Sequence, residues 1–422
     1  MILYTAAHGG FSSESVPLGG GAAVCEQLIA EWTRTRPFEF RVITPSILGR
    51  AAPTGRDLVR FGERDYARFC RDFERASTAE ILRHDPATTR VLVNDVSEGP
   101  DFARLAARGF PIFTIYHVDV VAYVASIYFR GLIRPETTAR WYRRIGAILP
   151  DMAKLVWAKQ EASVLHSRGL IVPSEGMRDV LLRCYPACSP DKIHVLPWGT
   201  WHSGDPVPPD SLRAEFGVPQ NARVLLTLSR ISPEKGQDLL LEALLDWERR
   251  ADYPEYPLWV FICGDAAFMQ GLRFLKKLRR LAARFRRTRV IFPGSVSGER
   301  KRAFFSLADL YVFPSRHESY GLTLVEALAA GLPAVCLDHH GARTVMRDEF
   351  GALVTPRELR PAIARLLVDD DRRRQMGAAA RRFALQEKFS DRAAQLARLI
   401  AAAPTPVNPW APGPLPPTST AR

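Results

Sequence analysis

Short apolar runs of strand length alternate with helical segments along the first half of the chain. The runs cover residues 1–6, 40–44, 90–94, 110–116, 169–172 and 193–196, and a helix is predicted at 22–32. Strands separated by helices are typical of βαβ units. The pattern therefore predicts a parallel sheet covered by helices.

A second series of the same kind follows a proline-rich break at residues 205–210. Strands are predicted at 224–228, 258–263, 290–292, 310–313 and 333–337, and helices at 236–247, 299–307 and 323–330. The predicted fold class is α/β, with two tandem domains that meet near residues 198–209. Residues 404–422 contain seven prolines and a single charge, so they are predicted to form a disordered tail.

The composition is that of a globular protein. The 422 residues suggest two to three domains, and 47% of them are hydrophobic. The six cysteines lack zinc-ligand spacing, so we expect reduced thiols in a cytoplasmic protein. We predict no signal peptide, because the first residues lack a basic region followed by a long apolar one.

Most of the net charge of +13 comes from one segment, in which residues 273–302 carry twelve Lys or Arg against one acid, Glu299. Apolar positions spaced through 273–289 predict an amphipathic helix with a basic outer face. A solvated helix face is the favoured interpretation. The alternative is weak peripheral contact with an anionic inner-membrane surface. No nucleic-acid partner is predicted, because no stacking motif accompanies the charge.

Two cations follow a predicted strand in the stretch LLTLSRISPEKGQDLL at 225–240. Arg230 comes just after the strand, and Lys235 stands at the start of a helix. Ligands of parallel α/β sheets bind outside the carboxyl ends of strands. Cations beside a helix N-terminus suit a diphosphate.

Two acids straddle a loop-to-helix junction in LYVFPSRHESYGLTLVEALAAGL at 310–332. Glu318 lies in the loop, and Glu326 lies eight residues later on the predicted helix. A carboxylate accepts paired hydrogen bonds from the vicinal hydroxyls of a ribose or hexose. The backbone N–H groups at Tyr320, Gly321 and Leu322 favour an anion.

The order SRISPEKG, ICGDA, FPGSV and ESYGLTLVEALAAGLP closely resembles the family-four retaining glycosyltransferases, which have the GT-B fold. The E-x7-E motif of that family matches Glu318 and Glu326. The resemblance implies that Arg230 and Lys235 contact the donor diphosphate, that Glu326 contacts the ribose, and that Glu318 contacts the donor sugar. It also implies that the turns at 264–265 and 294–296 border the nucleotide base.

The first half resembles the family more loosely. PLGGGAAV contains Gly19, Gly20 and Gly21, as in the family's glycine-rich loop, which lets backbone approach the donor phosphate and the acceptor. A dinucleotide-binding fingerprint is excluded, because Val24 stands at the position of its third glycine. His117 in TIYHVDV resembles a histidine near the donor sugar, although a purely structural role is the alternative.

Two further motifs concern the wall between the domains. IVPSEGM resembles the family's interdomain wall and places Ser174 and Glu175 near the cleft. In VLPWGTW, Trp198 and Trp201 replace the asparagine and the acid that are frequent in the family. The resemblance therefore does not identify the acceptor, although the aromatic and basic segment 120–157 suits a lipid-linked or a soluble one.

The resemblance implies two Rossmann-like domains that face a central cleft: an acceptor domain at 1–200 and a donor domain at 201–390. A helix at 391–403 would cross back onto the first domain. The expected reaction moves a hexose, with retention, from a UDP- or GDP-linked sugar to an acceptor hydroxyl, without a metal or a further cofactor. The acceptor would be a sugar, an aminocyclitol, a polysaccharide or a lipid-linked molecule.

Two alternatives remain at this point. One is a nucleotide-sugar hydrolase or epimerase, and the other is a non-catalytic protein that binds sugar nucleotides or membranes. The predicted catalytic residues are Glu318, Arg230, Lys235 and His117. The predicted donor-binding residues are Gly20, Gly21, Arg230, Lys235, Gly264, Ser295, Val296, Glu318, Tyr320, Gly321, Leu322 and Glu326.

Overall fold

A computed structural model describes residues 1–11, 19–119, 134–201, 205–266 and 268–402. Six parallel strands form the first sheet, in the order β2-β1-β3-β4-β5-β6. These strands are β1 Ile2–Thr5, β2 Phe40–Ile43, β3 Arg90–Val93, β4 Ile112–Ile115, β5 Gly169–Val172 and β6 Ile193–Val195. The strand order reverses beside β1, which opens a crevice at the carboxyl ends of β1 and β3.

The second sheet also has six parallel strands, in the order β12-β11-β10-β7-β8-β9. They are β7 Arg223–Leu228, β8 Leu258–Cys263, β9 Thr288–Gly294, β10 Leu310–Phe313, β11 Ala334–Leu337 and β12 Gly351–Val354. Here the order reverses between β7 and β10. The predicted α/β class with two parallel sheets is confirmed, and β12 is a strand that was not predicted.

Helices cover both faces of each sheet. In the first half they are α1 Gly20–Thr35, α2 Gly55–Arg60, α3 Glu63–Ile81, α4 Phe102–Ala107, α5 Pro135–Ile145, α6 Asp151–His166 and α7 Glu175–Cys184. In the second half they are α8 Asp210–Phe216, α9 Gln237–Glu248, α10 Phe268–Ala282, α11 Gly298–Leu307, α12 Leu322–Ala329, α13 His340–Val345, α14 Leu359–Val368, α15 Asp370–Gln386 and α16 Phe389–Ala402. All six residues of β8 are buried, as expected for a parallel strand covered on both sides.

Of the hydrophobic clusters that the described residues form, one spans both halves, and three others each lie within a single half. The last helix, α16, packs against α1, and Trp32 Nε1 donates a hydrogen bond to the Ala393 carbonyl at 3.1 Å. Trp198 and Trp201, the two unusual residues of the interdomain wall, both lie against the ring of Phe389. The chain end therefore ties the first half to the segment that joins the halves.

The single basic helix predicted over residues 273–289 is wrong. Helix α10 ends at Ala282, and β9 begins at Thr288. Between them, the Glu248 carboxylate accepts hydrogen bonds from the backbone N–H groups of Arg286 and Arg287 at 2.6 and 3.1 Å. These bonds hold the backbone outside a helix, although Phe285 still packs on the core as its spacing predicted.

Further expectations concerned the cysteines, membrane-spanning helices and two segments of the chain. All six cysteines are buried free thiols. Among the described residues, no helix combines the length and apolarity needed to cross a bilayer. The predicted tail at 404–422, and residues 120–133 of the segment assigned to the acceptor, lie outside the described residues.

Candidate active site

Neighbouring strands of the second sheet end side by side at one edge. The turn after β8 meets the turn after β9, where Gly264 N donates to the Gly294 carbonyl at 2.8 Å. Ser295 N donates to Asp265 Oδ1 at 3.1 Å. The two turns that the resemblance places around a nucleotide base therefore form one continuous surface.

The loop after β7 packs directly on the loop after β10. Gly236 has φ +63°, and a Cβ there would lie 1.9 Å from the Pro314 carbonyl oxygen, so only glycine permits this approach. Gln237 Nε2 donates to the Arg230 carbonyl at 2.8 Å. These contacts hold Arg230 and Lys235 at the carboxyl ends of β7 and β10.

Lys235 and Glu318, two predicted site residues, form an ion pair. Lys235 Nζ lies 2.6 Å from Glu318 Oε1, and the Ser315 hydroxyl donates to the same oxygen at 3.0 Å. The side chains are only 12% and 15% exposed. Burial would raise the pKa of Glu318, but the Lys235 ammonium and the Ser315 hydroxyl hold it below its usual value. At neutral pH, the site thus contains a paired carboxylate and ammonium.

The loop between Glu318 and α12 is fixed from two sides. Gly321 precedes the helix with φ +103°, and the Tyr320 hydroxyl accepts a hydrogen bond from Gly199 N at 2.9 Å. On the other side, a Cβ at Gly341 would lie 2.9 Å from Tyr320 N. Tyr320 therefore links the predicted donor loop to the first half through its side chain, a role that sequence reasoning missed.

Glu326 lies on α12 and has a counter-ion. Lys301 Nζ donates to Glu326 Oε1 at 2.9 Å, and the two side chains are 17% and 8% exposed. Sequence reasoning counted Lys301 only as part of the basic segment. The structure instead makes it the cation that neutralises the predicted ribose contact.

Residues of the first half face this loop across the crevice. Gly19, with φ +101°, precedes Gly20 and Gly21, which form the first turn of α1 instead of the expected loop. A Cβ at Gly20 would lie 3.1 Å from Leu322 Cδ1, and one at Gly21 would lie 3.0 Å from His117 Cδ2. These small residues allow the first turn of α1 to lie between His117 and the start of α12.

His117 is a neutral histidine in this setting. Its Nε2 lies 3.0 Å from Asn94 Oδ1, and burial lowers its pKa to about 4. Its ring also lies near that of Trp198. The predicted position beside the crevice is observed, with an amide partner that the sequence did not indicate.

A polar cluster beneath His117 was missed by sequence reasoning. His8 Nδ1 lies 2.9 Å from Asp95 Oδ1, and Tyr66 donates to Glu98. Burial alone would lower the pKa of His8, but the Asp95 carboxylate raises it to about 9, whereas burial raises the pKa of Glu98. His8 and Asp95 follow β1 and β3, so the rule of strand carboxyl ends, which also applies to the predicted residue His117 after β4, would have found them.

Two residues of the predicted interdomain wall have local roles. The Ser174 hydroxyl caps α7 by accepting from Met177 N at 3.3 Å, and the exposed Glu175 pairs with Arg178 at 3.3 Å. The neighbouring Gly176 contacts the second half, because a Cβ there would lie 2.2 Å from His340 Cβ. Within the described ranges, no group of three or more His, Cys, Asp or Glu is arranged to hold a metal ion.

Two Rossmann-like sheets, tied by a shared core and facing each other through their strand ends, define the GT-B fold. Residues 18–200 match the family model Glycosyltransferase Family 4, and residues 210–383 match Glycosyl transferases group 1. The chain therefore belongs to the family-four, group 1 glycosyltransferases.

Individual relatives agree with this assignment. The chain is 32% identical over 233 residues to a D-inositol 3-phosphate glycosyltransferase from Xylanimonas cellulosilytica, over 53% of this chain and 54% of the relative. The matched part spans about half the length of such curated relatives.

Solved structures agree in fold. The sucrose-phosphate synthase of Thermosynechococcus elongatus has a TM-score of 0.70 at 20% identity, covering 95% of this chain and 98% of that one. HepE from Anabaena, in complex with UDP and glucose, has a TM-score of 0.63 at 17% identity, covering 95% and 99%. At these identities the likeness concerns the fold alone.

Proposed function

We propose that this protein is a retaining glycosyltransferase that moves a hexose from a nucleoside diphosphate sugar to an acceptor hydroxyl. The observation that carries the proposal is the buried Lys235–Glu318 pair, held at the carboxyl ends of β7 and β10 by the packed loops that follow these strands. The cations suit a diphosphate, and the carboxylate suits the hydroxyls of a sugar. Membership of the glycosyltransferase family supports the same reaction.

In this proposal, the main catalytic work is electrostatic. As the glycosidic bond breaks, negative charge grows on the leaving diphosphate, and Arg230 and Lys235 stabilise it. The sugar passes through an oxocarbenium-like state, and the acceptor oxygen bonds to the anomeric carbon on the face that the diphosphate leaves. The proton of the acceptor hydroxyl passes to the departing diphosphate oxygen. No group in the proposed mechanism requires a metal or a further cofactor.

The first half would complete the donor site from the opposite side. Because His117 is neutral, it can hydrogen-bond a hexose hydroxyl without adding positive charge next to the developing cation. Gly20 and Gly21 would let the backbone of α1 approach the donor closely. The remaining donor contacts would be those predicted at Gly264, Ser295, Val296 and Glu326.

The nucleotide and the acceptor are open within this proposal. Either UDP or GDP is compatible with a diphosphate site. The name of one relative makes an inositol phosphate a first acceptor to try. Other sugars, polysaccharides and lipid-linked hydroxyls belong in the same panel.

The test begins with a thermal-shift screen of UDP-glucose, UDP-N-acetylglucosamine and GDP-mannose. The best donor is then incubated with the acceptor panel, with and without a chelator, and the product anomer is determined by NMR. We expect transfer with retention that survives chelation. Free sugar released at the rate of transfer would indicate a hydrolase, and binding of a donor without turnover would indicate a non-catalytic protein.

Two variants test the assigned roles. Glu326→Gln should mainly raise the donor KM, because a ribose contact serves the ground state and the transition state alike. Glu318→Gln should mainly lower kcat, because its contact is to the reacting sugar. The reverse pattern would contradict these roles while leaving the reaction itself intact.

A further inference from the structure

Three histidines surround Glu318 in the second half. They are His317, just before Glu318, and His339 and His340, which follow β11. In each of the three, the ring Nε2 is buried and makes no hydrogen bond within the part of the chain that the structure describes. A buried polar atom without a partner is costly, so such atoms often mark the place of a ligand.

For His339, the structure determines which ring nitrogen carries the proton. His339 caps α13, and its Nδ1 accepts a hydrogen bond from Ala342 N at 3.1 Å. An accepting nitrogen carries no proton, so the proton of the neutral ring is on Nε2. Burial lowers the pKa of His339 to about 4, so the ring is neutral at physiological pH. The unpaired Nε2 is therefore an N–H donor on a side chain that is only 7% exposed.

The ring of His339 belongs to the loop cluster of the candidate site. It lies 5.9 Å from the ring of Phe313, at the end of β10. The next turn approaches Glu318 directly, because a Cβ at Gly341 would lie 2.5 Å from the Glu318 carbonyl oxygen. Among charged groups, the Glu318 carboxylate acts most strongly on His339, and Lys235 also acts on it.

The chemistry of this pair selects a hydroxyl as the ligand. Glu318 offers an acceptor, and His339 offers a donor. A hydroxyl group satisfies both, because it donates its proton and accepts with its lone pairs. A phosphate oxygen would accept from His339 but would be repelled by Glu318.

We propose that His339 Nε2–H donates a hydrogen bond to a hydroxyl of the transferred hexose, and that the same sugar donates to Glu318. This inference rests on the proposed function, because it assumes a nucleotide-sugar donor. It makes His339 a residue that selects the sugar, separate from the residues that bind the diphosphate.

The variant His339→Asn tests this assignment. Asparagine caps helices well, so it can keep the bond to Ala342 N while removing Nε2. His340→Asn is the matched control, because His340 is also a largely buried histidine with an unpaired Nε2 but packs against Gly176 and the ring of His317. Calorimetry measures the Kd for UDP and for UDP-glucose, or for GDP and GDP-mannose if the screen favours guanosine.

We expect His339→Asn to weaken binding of the nucleotide sugar by about three- to tenfold, the range for one lost hydrogen bond, and to leave binding of the nucleotide diphosphate unchanged. His340→Asn should leave the ratio of the two Kd values unchanged. Donors that lack one hexose hydroxyl locate the contact. At one position, removal should weaken binding to the wild type, and should weaken it clearly less in His339→Asn, where only the bond to Glu318 is still there to lose.

Three outcomes would overturn the inference. The first is an equal rise in Kd for UDP and UDP-glucose in His339→Asn, which would place the contact on the diphosphate. The second is an unchanged Kd for both ligands. The third is the same selective loss of nucleotide-sugar binding in His340→Asn. A wild-type protein that binds no nucleotide sugar would overturn the proposed function as well. Turnover by the wild type with no selective loss in His339→Asn would overturn only the role of His339.

Discussion

Removing the charge of Lys235 should turn the buried carboxylate of Glu318 from a stabilising group into a destabilising one. Lys235→Met keeps most of the side-chain length and deletes the ammonium 2.6 Å from Glu318 Oε1. One-sided removal from a fully buried pair costs about 4 kcal/mol, and an exposed pair contributes about 0.5 kcal/mol. Because the two side chains are slightly exposed, we expect a loss of about 2–3 kcal/mol in the free energy of unfolding at pH 7.

The direction of the Glu318 pKa shift determines how the stability of each variant changes with pH. In the wild type, the pKa of Glu318 is below its unfolded value of about 4.3, so its stabilisation is complete above that pH and is lost as the pH falls through the lowered value. Without Lys235, burial dominates and the pKa of Glu318 rises above the unfolded value. Acidification from pH 7 to about 5 should then restore stability to Lys235→Met.

A double-mutant cycle isolates this carboxylate from other titrating groups. Denaturant unfolding is measured at several pH values for the wild type, Lys235→Met, Glu318→Gln and the double variant. The free energy of unfolding of Lys235→Met should approach that of the double variant as the pH falls from 7 to 5. The difference in free energy of unfolding between the wild type and Glu318→Gln should stay constant over the same range. Lys276→Met, at an exposed lysine of α10, is the control for loss of a positive charge.

Activity provides a second measurement of the same variant. Loss of a group that stabilises developing charge typically lowers kcat/KM by roughly 10²–10³. If the difference in unfolding free energy between Lys235→Met and the double variant does not change with pH, the electrostatic argument is refuted. Activity within about twofold of the wild type would refute the role of Lys235 on the diphosphate.

Three further predictions use other parts of the fold. Gly236→Ala should destabilise the protein by at least about 1 kcal/mol more than Gly217→Ala in denaturant unfolding, because both glycines have positive φ but only a side chain at 236 would meet Pro314. Trp32→Phe should speed amide exchange in α16, because the bond to Ala393 is lost. Sedimentation with anionic vesicles at ~0.15 M salt should show only weak binding, equal in the wild type and in a variant of four exposed basic residues, whereas strong binding that the variant loses would indicate a membrane-docking face. That variant replaces Arg273, Lys276, Arg280 and Arg284 with Gln.

The local pattern was sufficient to predict most of the fold. Every predicted strand is present, and six of them are buried along their whole length, as expected of continuous apolar runs in a parallel sheet covered on both faces. The strand β12 was missed because GALV is short and carries one exposed residue, Leu353. The basic helix was predicted too long because its apolar spacing continues to Phe285. The carboxylate that holds the backbone outside a helix belongs to Glu248, 38 residues before its partner Arg286, and the local pattern does not show it.

In the candidate site too, local sequence was sufficient to predict individual residues but not the contacts between distant ones. Arg230, Lys235, Glu318 and Glu326 could be proposed because their chemistry appears within two short stretches of sequence. Their pairing could not be predicted, because Lys235 and Glu318 are 83 residues apart and meet only when the loops after β7 and β10 pack together. His8 and Asp95 are 87 residues apart and pair because the strands they follow, β1 and β3, lie side by side in the first sheet. A strand end in the sequence can therefore indicate a reactive residue, but its charge state depends on which other strand ends lie beside it in the sheet.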